Sequence, residues 1–342
     1  VYGAHIKCKR EVVSVRALKF LLVVVLLVAG VVGFYVLLPY GPVGQTFVEI
    51  APGIGTEGIA ARLQDAGVIR SRYAFEALRI AKELSGSGGS LKAGEYRFQG
   101  GTPLLTVYDR IRRGDVFTIT VVVPEGYNIF DIADAVQAAG LATRADFLKA
   151  EMTDTELIAQ WSPQAKSLEG YLFPDTYRFS RRATPEQMLA MMVKRFGQQV
   201  HQLGLSGTDI PTVITTASLV EKEVRFDDER TEVASVFQNR LAAGMPLQTD
   251  PAVIYASQLR GTWTGVIHQS ELHSDSPYNT YMHKGLPPGP ICNPGLAALK
   301  ATLHPAKTDY LYFVAGANGR TRFASSLEEH NGNVAAYRGA SR

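Results

Sequence analysis

Ile59-Ala-Ala-Arg-Leu-Gln-Asp-Ala-Gly67-Val68 recurs further along the chain as Ile132-Ala-Asp-Ala-Val-Gln-Ala-Ala-Gly140-Leu141. Ile59, Ala60 and Leu63 fall at helical spacing, and Gly67 and Gly140 sit where a left-handed C′ residue ends a helix. A β-rich run and a Pro/Gly turn precede each copy, Val48-Glu-Ile-Ala-Pro-Gly53 and Thr120-Val-Val-Val-Pro-Glu-Gly126. Leu91-Lys-Ala-Gly-Glu-Tyr-Arg-Phe98 is then echoed by Leu168-Glu-Gly-Tyr-Leu-Phe-Pro-Asp-Thr-Tyr-Arg-Phe179. Thr102-Pro103 and Thr184-Pro185 follow as helix starts, with proline at or near the first helical position. The pattern predicts two strand–helix–helix–strand units in tandem, the second leading into a larger α+β region.

Upstream of the first unit, Phe20 to Leu38 run 19 residues without a charge. As a helix this stretch is about 28 Å long, close to the ~30 Å hydrocarbon core of a bilayer. A cleaved leader would have a shorter apolar region and a small-residue cleavage site, and Leu37-Leu38-Pro39-Tyr40 is a poor one. A single retained anchor is therefore expected. Five of the first 19 residues are Lys or Arg, whereas Pro39–Ala61 has none. The positive-inside rule then puts the tail in the cytoplasm and the rest of the chain outside. Cys8 and Cys292 fall on opposite sides of that anchor, so no intrachain disulfide is expected.

The sequence has 342 residues, 46% apolar and 20% charged, enough for two packed domains and too apolar for disorder. Its net charge of +3 resides in the tail, since the remaining 30 basic and 31 acidic residues nearly cancel. A near-neutral body is a poor nucleic-acid binder and suits a neutral polymer. There is no Gly-rich phosphate loop, no His-Glu-x-x-His, no Gly-x-Ser-x-Gly and no zinc-type cysteine spacing. No cofactor and no metal are expected.

The strongest chemical signal is Ile210-Pro-Thr-Val-Ile-Thr-Thr-Ala-Ser-Leu-Val-Glu221-Lys-Glu-Val-Arg225. Pro211 suits a first helical turn, with Thr208 and Asp209 as candidate caps. Ile210, Val213, Ile214, Ala217 and Val220 form one apolar stripe, and Glu221 continues it. A carboxyl on that stripe is partly desolvated, which favours its protonated form and suits a general acid. Glu223, roughly 200° away around the helix, is expected to face water. The spacing equally fits a structural Glu221 paired with Arg240 or Lys222, or a plain helix-end charge.

Beyond this helix, Leu247-Gln-Thr-Asp-Pro-Ala-Val-Ile-Tyr255, Pro277-Tyr-Asn-Thr-Tyr281 and Gly285-Leu-Pro-Pro-Gly-Pro-Ile-Cys-Asn-Pro-Gly295 form a polar, aromatic, turn-rich cluster. Four prolines and three glycines in the last stretch describe a stiff loop. Such loops either line a cleft for sugar hydroxyls and amides or pin a structural crossover. A short helix at Ala297–Ala301, a buried strand at Tyr310–Val314, a turn at Gly316–Gly319 and a paired strand at Thr321–Phe323 complete the reading.

Two resemblances follow. The first unit, small and βααβ-like, is similar in outline to LysM modules, which bind N-acetylglucosamine polymers. The remainder resembles the MltG (YceG-like) family of endolytic murein transglycosylases. The matching residues are Glu169-Gly-Tyr-Leu-Phe-Pro-Asp-Thr-Tyr177, Ala217-Ser-Leu-Val-Glu-Lys-Glu223, Val233-Ala-Ser-Val-Phe-Gln-Asn-Arg-Leu241 and Gly244-Met-Pro-Leu-Gln-Thr-Asp-Pro-Ala-Val-Ile-Tyr255. Tyr278-Asn-Thr-Tyr281, Gly285-Leu-Pro-Pro-Gly-Pro-Ile291, Asn293-Pro-Gly295, His304-Pro-Ala306 and Tyr310-Leu-Tyr-Phe-Val314 extend them.

The resemblance implies an α+β protein with a basic tail at 1–19, a transmembrane helix at 20–38, a LysM-like module at 45–117 and a catalytic domain at 118–338. It implies cleavage of peptidoglycan glycan strands between N-acetylmuramic acid and N-acetylglucosamine, leaving 1,6-anhydro ends and terminating nascent strands. Glu221 would be the catalytic acid. Gln248, Asp250, Asn279 and Tyr281 would contact sugar, and Tyr171 and Asp175 would support the site. A single-pass protein of the cytoplasmic membrane, working outside it and coupled to wall-synthesis proteins, is the expected setting. The competing expectations are a non-catalytic wall-binding protein and a hydrolytic muramidase with Asp250 as a second carboxylate.

Overall fold

The computed structural model describes residues 15–205, 209–316 and 319–340. In chain order the elements are α1 (Val15–Val36), β1 (Gln45–Ile50), α2 (Thr56–Asp65), α3 (Arg72–Leu84), β2 (Gly94–Gln99) and α4 (Leu104–Arg113). Then come β3 (Ile119–Val123), α5 (Ile129–Ala138), α6 (Arg144–Thr153), β4 (Asp175–Phe179), α7 (Pro185–Gln202) and α8 (Ile210–Glu223). They are followed by α9 (Arg230–Ala242), α10 (Asp250–Leu259), α11 (Gln269–Leu272), α12 (Leu296–Leu303), β5 (Tyr312–Ala315), β6 (Thr321–Ala324) and α13 (Leu327–Ala340). The chain divides into two compact units between Thr118 and Ile119.

The internal repeat is structural. β1-α2-α3-β2-α4 and β3-α5-α6-β4-α7 have the same order, and each copy closes its two strands into an antiparallel pair. Gln45 faces Gln99 and Ile50 faces Gly94 in the first; Ile119 faces Phe179 and Val123 faces Asp175 in the second. Gly67 and Gly140 take φ of 68° and 70°, the left-handed conformation that releases the chain from α2 and α5. The second long helix start is as expected, with a Thr184–Gln187 capping box. In the first copy Pro103, rather than Thr102, takes the N-cap position, so that end has no side-chain cap.

In the first unit, α1 is exposed along its apolar length, and Ala17–Val36 is long and apolar enough to cross a membrane. It stops before Leu37 and Leu38, short of the expected end, because Pro39 drives the residue before it out of the helical region. The unit's own core gathers Ile50, Leu63, Phe75, Tyr96, Tyr108 and Ile111, all buried.

In the second unit α8 is the central element, with α9, α10 and α12 packed against it. Its expected stripe is present at Ile210, Ile214, Ala217 and Val220, but Thr215, Thr216, Ser218 and Leu219 are buried as well. The helix is therefore enclosed on more than one face over its second half. Asp209 occupies the N-cap position without a side-chain cap bond, and Thr208 lies outside the described residues. The β5–β6 hairpin forms with Tyr312 opposite Ala324, starting two residues later than expected and half-buried rather than buried. Its turn falls partly outside the described residues. α12 extends the expected short helix by a residue before it and two after it.

Candidate functional site

Three loops are tied together by one buried pair, Glu169 and Asn293. The Asn293 amide donates to Glu169 Oε1 at 3.0 Å and to the Tyr127 carbonyl at 3.0 Å, while its Oδ1 accepts from Leu172 N–H at 2.8 Å. Glu169 Oε2 accepts from Ile129 N–H at 3.0 Å. Backbone bonds close the clamp, Gly126 N–H to Asn293 O at 3.0 Å and Asn293 N–H to Tyr127 O at 2.8 Å. Burial holds the Glu169 carboxyl well above the usual carboxylate range. The Ser218 hydroxyl of α8 accepts from Ile291 N–H at 3.1 Å, which seats the proline-rich loop on the central helix.

This clamp delivers Gly295 to the end of α8, where its N–H donates to Glu221 Oε2 at 3.0 Å. The other Glu221 oxygen pairs with Arg230 Nη1 at 3.1 Å, and the two side chains are only 7% and 11% exposed. Glu221 is thus buried as expected, but its partner is neither Arg240 nor Lys222. Arg240 sends its guanidinium to the Leu247 and Leu311 carbonyls, and Lys222 reaches the Gly126 carbonyl. Beside Glu221 lies an open cleft of about 590 Å³ walled by Glu125, Gly126, Tyr127, Asp131, Asp134 and Lys222 among others. The Glu125 carboxyl is raised by burial first and by the nearby charge of Glu221 second. It lies so close to Gly295 that a Cβ there would come within 1.9 Å of its Oε1.

Glu223 departs from expectation. It does not face water: it is half-buried, and its carboxyl is pushed up to about 7, by desolvation first and by the charge of Asp250 second, with Arg240 opposing. The cause is the packing of α9, α10 and α12 around α8, which turns the solvent face toward Lys222 and leaves Glu223 half-buried. Two expected sugar-contact residues gather at this carboxyl. Asp250 is exposed at the start of α10, and its Oδ1 accepts from the Tyr281 hydroxyl at 2.7 Å. Exposed Gln248, next in line, has φ of 55° and donates its N–H to Thr280 O at 3.1 Å. A non-glycine residue held in the left-handed region stores strain of about 1–3 kcal/mol, a common mark of functional loops.

The other expected residues have different places. Asn279 is fully buried; its amide donates to the carbonyls of Glu271, Leu272 and Ser274, and its Oδ1 accepts from Tyr281 N–H at 3.0 Å. It positions Tyr281 and has no free amide for sugar. Tyr171 is buried on the wall of a second cavity of about 420 Å³ that also includes Glu169, Tyr255 and Tyr278. Asp175, on β4, pairs with Arg195 Nε at 2.6 Å. Sequence reasoning passed over Arg230 and Glu125. The acidic turn before α9 and the Pro-Glu-Gly turn after β3 were their only signals.

The YceG-like family model matches residues 48–336. The chain belongs to the YceG-like family. A Bacillus subtilis relative named endolytic murein transglycosylase is 36% identical over 303 residues, which cover 83% of this chain and 82% of that protein. A Streptococcus pneumoniae relative of the same name is 31% identical over 84% of this chain, which spans 57% of that longer protein. The crystal structure of a YceG-like protein from Listeria monocytogenes superposes with a TM-score of 0.54 at 33% identity, over 84% of this chain and 98% of that one.

Proposed function

We propose that this chain is a membrane-anchored endolytic murein transglycosylase. It cuts the bond between N-acetylmuramic acid and N-acetylglucosamine inside glycan strands. Family membership and the names of its relatives support the substrate class. The observation that carries the chemistry is a Glu223 carboxyl near pH 7 beside the Asp250–Tyr281 pair.

A group that titrates near the working pH holds a proton and can deliver it. Glu223 protonates the glycosidic oxygen as the C1–oxygen bond breaks, and positive charge develops at C1. The 6-hydroxyl of the same muramic acid then closes on C1, and its proton passes to the Glu223 carboxylate. The product is a 1,6-anhydro ring; no water is consumed and the acid is regenerated. One essential carboxyl suffices because the nucleophile is tethered and arrives at high effective molarity. Burial first and the Asp250 charge second keep the Glu223 proton in place, and Gln248 and Tyr281 contact sugar.

A second reading keeps Glu221, the residue expected from sequence, as the acid. The cleft at its side favours that reading, and its ion pair with Arg230 would open when substrate binds. Tyr171 and Asp175 then support the fold of the site at a distance. The first unit holds glycan as a LysM-like module, supported by its βααβ order. α1 anchors the chain in the cytoplasmic membrane with the tail inside, and wall-synthesis proteins are its partners.

Mass spectrometry of digested glycan strands tests the proposal. Anhydro ends are expected from the unaltered chain. Reducing ends, heavier by one water, would indicate a muramidase, and intact strands a binding protein. Glu223→Gln is expected to abolish anhydro ends while Glu221→Gln, compared at equal folded fraction, retains them. The opposite pair of results would transfer the role to Glu221.

A further inference from the structure

α3 takes no part in the proposed chemistry, yet this helix carries an unusual surface. Phe75 turns into the core of the first unit, whereas Tyr73, Ile80 and Leu84 are 66%, 57% and 85% exposed. With exposed Ala77, these residues recur at i, i+4, i+7 and i+11, a single stripe along the whole helix. Arg72, Glu76, Arg79 and Glu83 run along one flank of the stripe, roughly 70–130° around the helix from it. A stripe of this kind is costly in water and fits an interface with something apolar.

The neighbouring element says what that is. Ala74, Ala77, Leu78 and Ala81 of α3 share an apolar groove of about 420 Å³ with Val31, Val32, Tyr35 and Val36 of α1. Arg70, just ahead of α3, locks the two together. Its guanidinium donates to the carbonyls of Leu38 at 2.9 Å and Pro39 at 3.1 Å, and lies over the Phe34 ring at 4.7 Å and the Tyr40 ring at 4.9 Å. A cation at the end of α1 also satisfies its unpaired carbonyls and complements its dipole. α3 is thereby fixed against the last turns of the membrane-crossing helix. Its exposed stripe is continuous with the apolar surface of α1.

We infer that α3 is a second membrane contact, lying in the outer headgroup region with Tyr73, Ile80 and Leu84 immersed in lipid. The inference rests on the reading of α1 as a membrane anchor. The groove spans Val31 to Val36 of α1, about 8 Å along the helix axis at 1.5 Å per residue. Interfacial helices bury their apolar face to about 5–10 Å, the same depth. The Tyr73 hydroxyl accepts from Arg72 Nη2 at 2.9 Å, an amphipathic pair suited to the headgroup layer. The occupant of the stripe is the bilayer, and its consequence is a first unit held at the membrane surface rather than swinging on a flexible stalk.

The test uses the full chain in phosphatidylcholine–phosphatidylglycerol vesicles, with Cys8→Ser and an environment-sensitive fluorophore on one introduced cysteine. Labels at Ile80→Cys and Leu84→Cys are expected to shift to the blue. Lipids bearing a nitroxide near the headgroup should quench them about twofold or more, as shallow immersion requires. A label at Glu83→Cys is expected to show neither change. A Leu27→Cys label, quenched by nitroxides deep in the acyl chains, separately reports the anchor. If that deep label is quenched while the α3 labels are not, the inference is overturned and the anchor stands. If the α3 labels shift to the blue without lipid quenching, a protein surface such as a second copy covers the stripe, which also overturns it. An unquenched deep label removes the anchor and the inference with it.

Discussion

The Tyr281 hydroxyl donates to Asp250 Oδ1 at 2.7 Å, joining the start of α10 to a loop that follows α11. The bond is made at an exposed carboxylate, so its net worth to stability is small, about 0.5–1.5 kcal/mol. In the proposed chemistry its effect is larger, because it fixes a charge that, second to burial, favours the protonated form of Glu223. Tyr281→Phe is expected to slow formation of anhydro ends about tenfold, while the thermal unfolding midpoint changes little, since losing one such bond costs about 1 kcal/mol. Initial rates on purified glycan and a thermal melt measure both.

The pH profile follows from the same carboxyl. Glu223 must hold its proton to act as an acid, so activity is expected below about pH 7 and to fall as pH rises through that value. Asp250→Asn removes the negative charge that raises Glu223, so its proton is lost at lower pH. The descending limb of the rate profile should therefore move down by roughly one pH unit. A limb that stays in place, with Glu223→Gln still active, would show that Glu223 does not govern the rate.

How much of this was legible in the sequence differs by element. The tandem repeat could be read because each copy carries its own local signals, an extended run, a periodic helix and a terminating glycine. The identity of the helix bearing the carboxyls could be read for the same reason. The environment of Glu223 could not. Angular position on α8 was correct, but which faces are buried depends on α9, α10 and α12, elements brought in from distant sequence. Asn279 misled in the opposite direction. A polar residue in a turn-rich loop resembles a ligand contact, yet its amide is spent on three local carbonyls. The partner of Glu221 was missed because Arg230 follows a three-residue acidic stretch, and charge runs of that kind usually face solvent.

Glu151 makes the fold itself sensitive to alkali. It is fully buried on α6, its Oε1 accepts from Leu168 N–H at 2.6 Å, and its Oε2 is buried without a partner. Desolvation raises it to about 7. A carboxyl raised above its unfolded value binds more protons in the folded state, so stability is full below about pH 4.5 and declines as pH rises through 7. The slope approaches about 1.4 kcal/mol per pH unit for one such group. Glu151→Gln cannot ionise, and is expected to flatten this decline in urea melts run between pH 5 and pH 8. At pH 5 it should change stability little.

Gly170 tests the clamp. Its φ is 87°, and an added Cβ would meet the Pro290 ring at 2.4 Å and Ile214 at 2.9 Å. Neither the ring nor a side chain packed on α8 can swing away. Left-handed strain and overpacking then act together, so Gly170→Ala is expected to cost about 2–4 kcal/mol. A lowered denaturation midpoint with unchanged slope would record it. Activity should fall only with the folded fraction, because Gly170 touches the clamp rather than either carboxyl.

The last prediction separates stability from chemistry at Glu221. Two charged side chains 3.1 Å apart and 7% and 11% exposed have lost most of their hydration. Among the described residues Glu221 has no other charged partner, whereas Arg230 also pairs with exposed Asp227 at 3.0 Å. Arg230→Met leaves the Glu221 charge with the Gly295 N–H alone and is expected to destabilise by about 3–5 kcal/mol. Arg230 Nε is itself buried without a partner, so removing the guanidinium also removes an unsatisfied donor. Pairing Arg230→Met with Glu221→Gln then eliminates both charges, and most of the lost stability should return. If Glu223 is the acid, the double variant keeps activity within several-fold of the unaltered chain once its folded fraction is restored. If Glu221 is the acid, the double variant folds and forms no anhydro ends. Chemical denaturation and strand-end analysis on the same preparation distinguish the two outcomes.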